Sequence, residues 1–273
     1  MHLDSLTLTL TRANHGPLLV HSGARNTAHL VDRTRDRASQ LEAHLANINA
    51  LADGRSIFMP SFNYDYCRNG LFDIPNDPSQ VGPISERFRL STDTRRTSMP
   101  VFNFATNSGA ESSQNPAQGG DLDPFDDASV FADIVAGNGT IVWYGAPLTS
   151  MTLMHHAERS IGGVPYRYDK FFCGRVMDNN EEWPTRLRYH VWPMGTALDY
   201  DWGKLEIALR DGGILQSHNN ETSVQWADAE QLKAFLTSKL RDDPLSLLTI
   251  SSRAWVADHL DRLGRAFRIE DFE

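Results

Sequence analysis

The apolar run Ile141-Val142-Trp143-Tyr144 is unbroken and bounded by turn residues, the pattern of a short strand buried on both faces. Gly145-Ala146-Pro147 ends it, and beyond lies a stretch of helical spacing that carries His155, His156 and Glu158. A strand that feeds a histidine-bearing helix through a Gly/Pro turn can place a base at the mouth of an α/β sheet. Residues 18–21 form a second strand-like run, ending in the small polar turn Ser22-Gly23-Ala24-Arg25. Ala38, Leu41, Leu45, Ile48 and Leu51 recur at helical steps and predict an amphipathic helix laid on a sheet. Residues 56–59 read as another strand, stopped by Pro60.

Residues 63–83, rich in Asn, Asp, Gly and Pro, predict loop, followed by a helical turn over 84–90 and a strand-like run over 101–105. Residues 107–127 hold few apolar anchors, and a loop of that length is usually functional or mobile. A brief helix is expected over 131–135, and strands over 166–176 and 185–192, with a hairpin around Asp178-Asn179-Asn180. Asp199, Asp201 and Glu206 follow in an aromatic, acidic neighbourhood. Leu232, Phe235, Leu236 and Lys239 fit a helix, and Ser252 is placed to cap a last one that ends at Gly264. With no repeat and no linker, residues 1–273 read as a single domain of the α/β class.

Composition narrows the function. A chain of 273 residues, 40% hydrophobic, can bury a sizeable core. No apolar run approaches the ~18 residues of a membrane span, and the start MHLDSLTLTLTRANH lacks the layout of a secretory signal, so a cytoplasmic protein is expected. Cys67 and Cys173 lie far apart and outside any Cys-x-x-Cys, which argues against disulfides and a thiolate zinc site. A net charge of -9 disfavours nucleic acid and is compatible with a cationic substrate. There is no Walker loop, no dinucleotide-binding glycine fingerprint and no Gly-x-Ser-x-Gly elbow. Nor do His155 and His156 form a metal pair, because adjacent helical side chains point ~100° apart. No metal is expected.

Four patches, in order, resemble the aminoglycoside 3-N-acetyltransferase family, also called antibiotic N-acetyltransferases. His21-Ser22-Gly23-Ala24-Arg25 is similar to its His-Ser-Ser-x-Arg turn, and Met59-Pro60-Ser61 to its Met-Pro-Ser/Thr strand end. Arg96-Thr97-Ser98-Met99-Pro100 looks like its Arg-Ser-x-His-Pro element. Most specific is Thr152 to Glu158, which is similar to Thr-x-Leu-His-x-Ala-Glu and aligns His155 with the family histidine. The likeness implies an α/β fold with a mixed central sheet flanked by helices, distinct from the GNAT acetyltransferases. It also implies transfer of an acetyl or other acyl group from acetyl-CoA (coenzyme A) to an aminoglycoside or related amino sugar. Three positions depart from the pattern. Met99 stands where the family has His, Gly23 replaces the second Ser, and the downstream stretch reads Tyr189-His190-Val191 without the usual acids.

On this resemblance His155 is the general base, with Glu158, Asp199 or Asp201 as the carboxylate that orients it. His21, Ser22, Gly23, Arg25, Arg96, Thr97 and Thr152 are the expected coenzyme contacts. Direct attack by the amine is expected, since neither cysteine sits in a nucleophile motif. Two alternatives stand beside this reading: a biosynthetic acyltransferase for a nucleotide-linked amino sugar, and an inactive relative that binds acyl-CoA. The partners expected are a small-molecule amine, no nucleic acid and no membrane, with a homodimer left open.

Overall fold

The computed structural model describes residues 15–109, 116–218 and 221–273. The N-terminal reading and part of the long-loop reading (110–115) lie outside the described residues. The strands, in chain order, are β1 (Leu18–Ser22), β2 (Ile57–Pro60), β3 (Leu71–Asp73), β4 (Arg95–Arg96), β5 (Phe104–Thr106) and β6 (Asp121–Leu122). They continue with β7 (Thr140–Tyr144), β8 (Tyr168–Asp178), β9 (Glu181–Val191), β10 (Gln216–His218) and β11 (Glu221–Asp228). The helices are α1 (Arg37–Ala52), α2 (Tyr66–Asn69), α3 (Pro83–Arg89), α4 (Val130–Ala136), α5 (Leu153–Ser160), α6 (Trp202–Asp211), α7 (Ala229–Asp242) and α8 (Ile250–Leu263).

Seven strands form a mixed sheet in the order β10-β11-β7-β1-β2-β5-β4. Its centre is parallel, β1 lying between β2 and β7, and both margins turn antiparallel through β11 and β5. The central strands are apolar at successive positions because both faces are covered. Leu18 and Val20 of β1 join Val142 and Tyr144 of β7 against Leu45, Ile48 and Leu51 of α1. Leu19, Ile141 and Trp143 face the other way, into a larger core shared with α4, α5 and α7. That core also takes Phe72, Leu122, Tyr168, Val176 and Leu187 from a second sheet, of four strands in the order β3-β8-β9-β6. Its body is the β8–β9 hairpin, paired from Tyr168↔Val191 to Asp178↔Glu181. The turn uses Asn179 at φ 53°, a left-handed conformation that asparagine tolerates.

Several boundaries differ from expectation for local reasons. β2 runs through Pro60, opposite Phe104; a strand end tolerates the missing N–H. The 63–83 segment contains α2 and β3, and the 107–127 segment contains β6 on the edge of the hairpin. The cap of α8 is Thr249 and not Ser252: the Thr249 side chain accepts from Ser252 N, and the Ser252 hydroxyl accepts from Asp199 N at 2.9 Å. α6 and the β10–β11 pair had no clear signature in the sequence. Among the described residues no helix is long and apolar enough to cross a membrane.

Candidate active site

β7 ends at Tyr144 and the chain turns sharply at Gly145 (φ 71°) towards α5. A Cβ there would lie 2.3 Å from the Gly23 carbonyl oxygen, and a Cβ on Gly23 would lie 2.4 Å from that of Gly145. Two glycines therefore let the turns after β1 and β7 cross at van der Waals distance. The N–H of Gly23 is itself spent on the Tyr144 carbonyl at 2.8 Å. After the turn a single 3-10 turn at Leu148–Ser150 leads into α5.

On α5 the two histidines separate as helical geometry requires. Nδ1 of His156 meets the Phe125 carbonyl oxygen at 2.8 Å and the ring is fully buried, a structural residue. Nδ1 of His155 lies 3.1 Å from Oε2 of Glu158, one turn on, and 24% of the His155 side chain is exposed. Glu158 is wholly buried at the centre of a polar cluster. The hydroxyls of Tyr166 and Tyr200 donate to its Oε1 at 3.0 and 2.6 Å. Arg167 places Nε 3.1 Å from Oε2, an ion pair whose N–H is not aimed along the contact, and donates to the Tyr200 hydroxyl at 2.8 Å and the His190 carbonyl at 2.9 Å. Its guanidinium lies 4.6 Å from the centre of the Trp192 ring.

This cluster sets the charges. Burial would raise the Glu158 carboxyl, but Arg167, His155 and Tyr200 outweigh it and bring it down to about 2. Glu158 is therefore an anion at neutral pH and accepts from Nδ1–H, which fixes the tautomer of His155. Burial lowers the pKa of His155, helped by the Arg167 charge and opposed by Glu158, so the ring is neutral before any proton arrives.

His155 stands where two cavities meet. The smaller, about 300 Å³, is lined by His21, Ser22, Phe102 and Thr152 among others, and the larger, about 850 Å³, by Trp192, Asp199, Tyr200 and Trp202 among others. Tyr64, Thr149, His155 and Tyr189 line both. Alternation along the hairpin builds one wall of the larger cavity, with Lys170 and Phe172 of β8 beside Tyr189 and Val191 of β9. In the smaller one, Thr152 Oγ1 and His21 Nε2 are buried with no hydrogen-bond partner among the described residues. Burial lowers His21 to about 4, so it is neutral and can share one hydrogen bond but contributes no charge.

The sequence candidates divide accordingly. His155, Glu158, Asp199, His21, Ser22 and Thr152 come together around the junction. Asp201 does not: it caps α6, accepting from Lys204 N at 3.0 Å, and faces a separate hollow. Arg96 is spent inside the protein, donating to Asn103 Oδ1 and to the carbonyls of Ser61, Ile74 and Asp77. Thr97 accepts from Phe104 N at 2.9 Å, and Arg25 is exposed and lines neither cavity. Met99 packs in the core. Reading the sequence assigned no role to Tyr166 or Arg167, and marked Tyr189, Trp192, Tyr200 and Trp202 only as an aromatic region suited to an acceptor. The only local hint was the aromatic density of 189–202. Among the described residues no cluster of three His, Cys, Asp or Glu side chains is placed to hold a metal.

A family model described as aminoglycoside 3-N-acetyltransferase matches residues 24–241. No curated protein matches the chain. Among solved structures, the apoenzyme of aminoglycoside acetyltransferase AAC(3)-IVa is similar at 20% identity, covering 90% of each chain, with a TM-score of 0.66. AAC-IIIb in a binary complex with CoASH is similar at 18% identity over 88% of this chain and 95% of that one, TM-score 0.67. A mutant of AAC(3)-IVa in complex with apramycin aligns at 21% identity over 89% and 92%, TM-score 0.62.

Proposed function

Since the chain belongs to the aminoglycoside 3-N-acetyltransferase family, whose members are acetyl-CoA-dependent transferases, we propose that it acetylates an amine of an amino sugar by direct attack, with His155 as the general base. The observation that carries this is the position of His155 at the junction of two cavities, which we assign one to each substrate. Relatives of this fold have been solved with CoASH and with apramycin, which supports a site for two ligands.

The smaller cavity suits the pantetheine arm. The orphaned Thr152 hydroxyl and His21 Nε2 offer hydrogen bonds to its amides, and Ser22 lies beside them. The coenzyme supplies the activated thioester; the remaining work falls to protein groups. An alkylammonium has no lone pair, so it first releases one proton to solvent, and a base takes a second as the neutral nitrogen attacks the carbonyl. Nδ1 of His155 is engaged by Glu158, which leaves Nε2 to accept that proton. Glu158 then faces an imidazolium and stabilises it, while Arg167, Tyr166 and Tyr200 keep the carboxylate ionised and in place. The proton can pass on to the departing thiolate.

An acyl-enzyme on cysteine is disfavoured. Cys67 lines the larger cavity, but burial pushes its thiol up to about 11, far from a thiolate at neutral pH. Arg96 and Thr97 make their hydrogen bonds inside the protein, whereas Arg25, exposed and outside both cavities, is the side chain proposed for the coenzyme's phosphate.

Replacing His155 with Ala should lower kcat by about 10²-fold or more, the usual worth of a positioned base, with CoA affinity by calorimetry unchanged. Near-normal turnover in that variant would reject the assignment.

A further inference from the structure

Among the described residues, the wall of the larger cavity carries the charged side chains Arg68, Arg167, Lys170 and Asp199. The three cations are each neutralised by a carboxylate: Asp65 for Arg68, Glu158 for Arg167 and Glu273 for Lys170. Asp199 has no cation of its own among the described residues, so this wall and its partners hold one more acid than base. The mechanism leaves that charge unused, because Nδ1 of His155 is engaged by Glu158. Asp199 is nevertheless firmly placed. Its Oδ1 accepts from Tyr200 N at 2.8 Å and from Trp202 Nε1 at 3.3 Å, its backbone N–H donates to the Ser252 hydroxyl at 2.9 Å, and its carbonyl accepts from Thr249 N at 3.0 Å. Oδ2 has no hydrogen-bond partner among the described residues.

Tyr200, the next residue, sets its ring centre 6.4 Å from that of His155, so this carboxylate and the base line the same cavity from neighbouring positions. The reacting nitrogen is the wrong partner for Asp199. A carboxylate beside it would favour the charged form, whereas that nitrogen must be neutral to attack. A second ammonium on the same acceptor has no proton to lose. Pairing it with Asp199 balances its charge and turns the acceptor so that another nitrogen faces His155. The acids that the family carries after the tyrosine are absent from Tyr189-His190-Val191, and here the charge comes from the segment leading into α6 instead. We propose that Asp199 is a specificity-determining residue, which selects acceptors that carry a second ammonium and receives that group while the reacting amine stands neutral at His155. The inference rests on the acyltransferase reading and deepens it.

Thiol release from acetyl-CoA, measured with the whole protein, tests it with kanamycin, which has several amines, and glucosamine, which has one. Wild-type protein should favour kanamycin in kcat/KM. Asp199→Asn keeps an oxygen to accept from Tyr200 N and Trp202 Nε1 and removes the charge. It should raise the KM for kanamycin by about five-fold, the upper worth of a solvent-exposed ion pair, with kcat unchanged and the KM for glucosamine unmoved. Added KCl should raise the kanamycin KM of the wild type and much less that of the variant, since only the wild type has a charge pair to screen. Asp199→Glu, which restores the charge, should recover part of the loss. An unchanged kanamycin KM, an equal rise for glucosamine, or a fall in kcat with KM intact overturns the assignment and leaves the transferase reading standing. No thiol release with either amine in the wild type, despite coenzyme binding, removes both.

Discussion

At the scale of single residues, the informative group is a carboxylate that never touches solvent. Glu158 holds Nδ1 of His155 and is held by Arg167, Tyr166 and Tyr200. Replacing it with Gln keeps the shape and removes the charge. The neighbouring Arg167 then acts on His155 unopposed, so the apparent pKa of the base in the kcat/KM profile should fall, and kcat should drop by about 10²-fold because the tautomer is no longer fixed. A pH–rate profile checks both; an unmoved limb would mean that Glu158 is not coupled to the base. The i,i+3 spacing of His155 and Glu158 was visible in the sequence, since helical periodicity fixes which neighbours share a face. That spacing put Glu158 only slightly ahead of Asp199 and Asp201, because the deciding factor is which carboxylate the fold buries beside a guanidinium.

At the scale of elements, the site depends on two strand ends crossing. β1 and β7 are parallel neighbours, so their following turns leave the sheet at the same edge, and Gly23 and Gly145 remove the side chains that would collide. Gly145→Ala forces a Cβ against a carbonyl oxygen at 2.3 Å in a backbone region that disfavours side chains. It should cost about 1–3 kcal/mol in urea unfolding and lower kcat together with stability, since the same turn carries α5. Full activity at wild-type stability would show that the crossing is not needed. β1, β7, α1 and the β8–β9 hairpin were legible because each has a strong period bounded by turn residues. The edge strands β3, β4, β6 and β10 were not: at two or three residues they are too short for any period, and partners far along the chain define them. Ser252 is the cap that the sequence predicts for α8. The Asp199 N–H, arriving from a different segment, takes the Ser252 hydroxyl, and Thr249 caps the helix.

For the whole molecule, the buried charges link stability to acid. Glu158 is held down to about 2 in the fold against an ordinary value of 4.5. Asp169 is also depressed: burial would raise it, but His190, Arg188 and Arg159 prevail. A folded pKa below the unfolded one means that the stabilisation is complete above about pH 4.5 and is lost as pH falls towards 2. The urea midpoint should therefore drop steeply across that window, and Glu158→Gln, though less stable overall, should show a flatter drop. An equally steep fall in that variant would place the acid sensitivity elsewhere.

Sequence by itself determined the class of the fold, the family and the histidine on which the proposed chemistry turns. Each of these is written in short-range patterns: apolar runs of defined period, turn residues, and the Thr152-to-Glu158 element. The tertiary structure alone decided which candidates meet. It brought Arg167 and Tyr200 to a glutamate on α5 and spent Arg96 on carbonyls of the interior. The physical reason is that burial and charge pairing are properties of neighbours in space, and those neighbours come from segments whose separation along the chain carries no local signal.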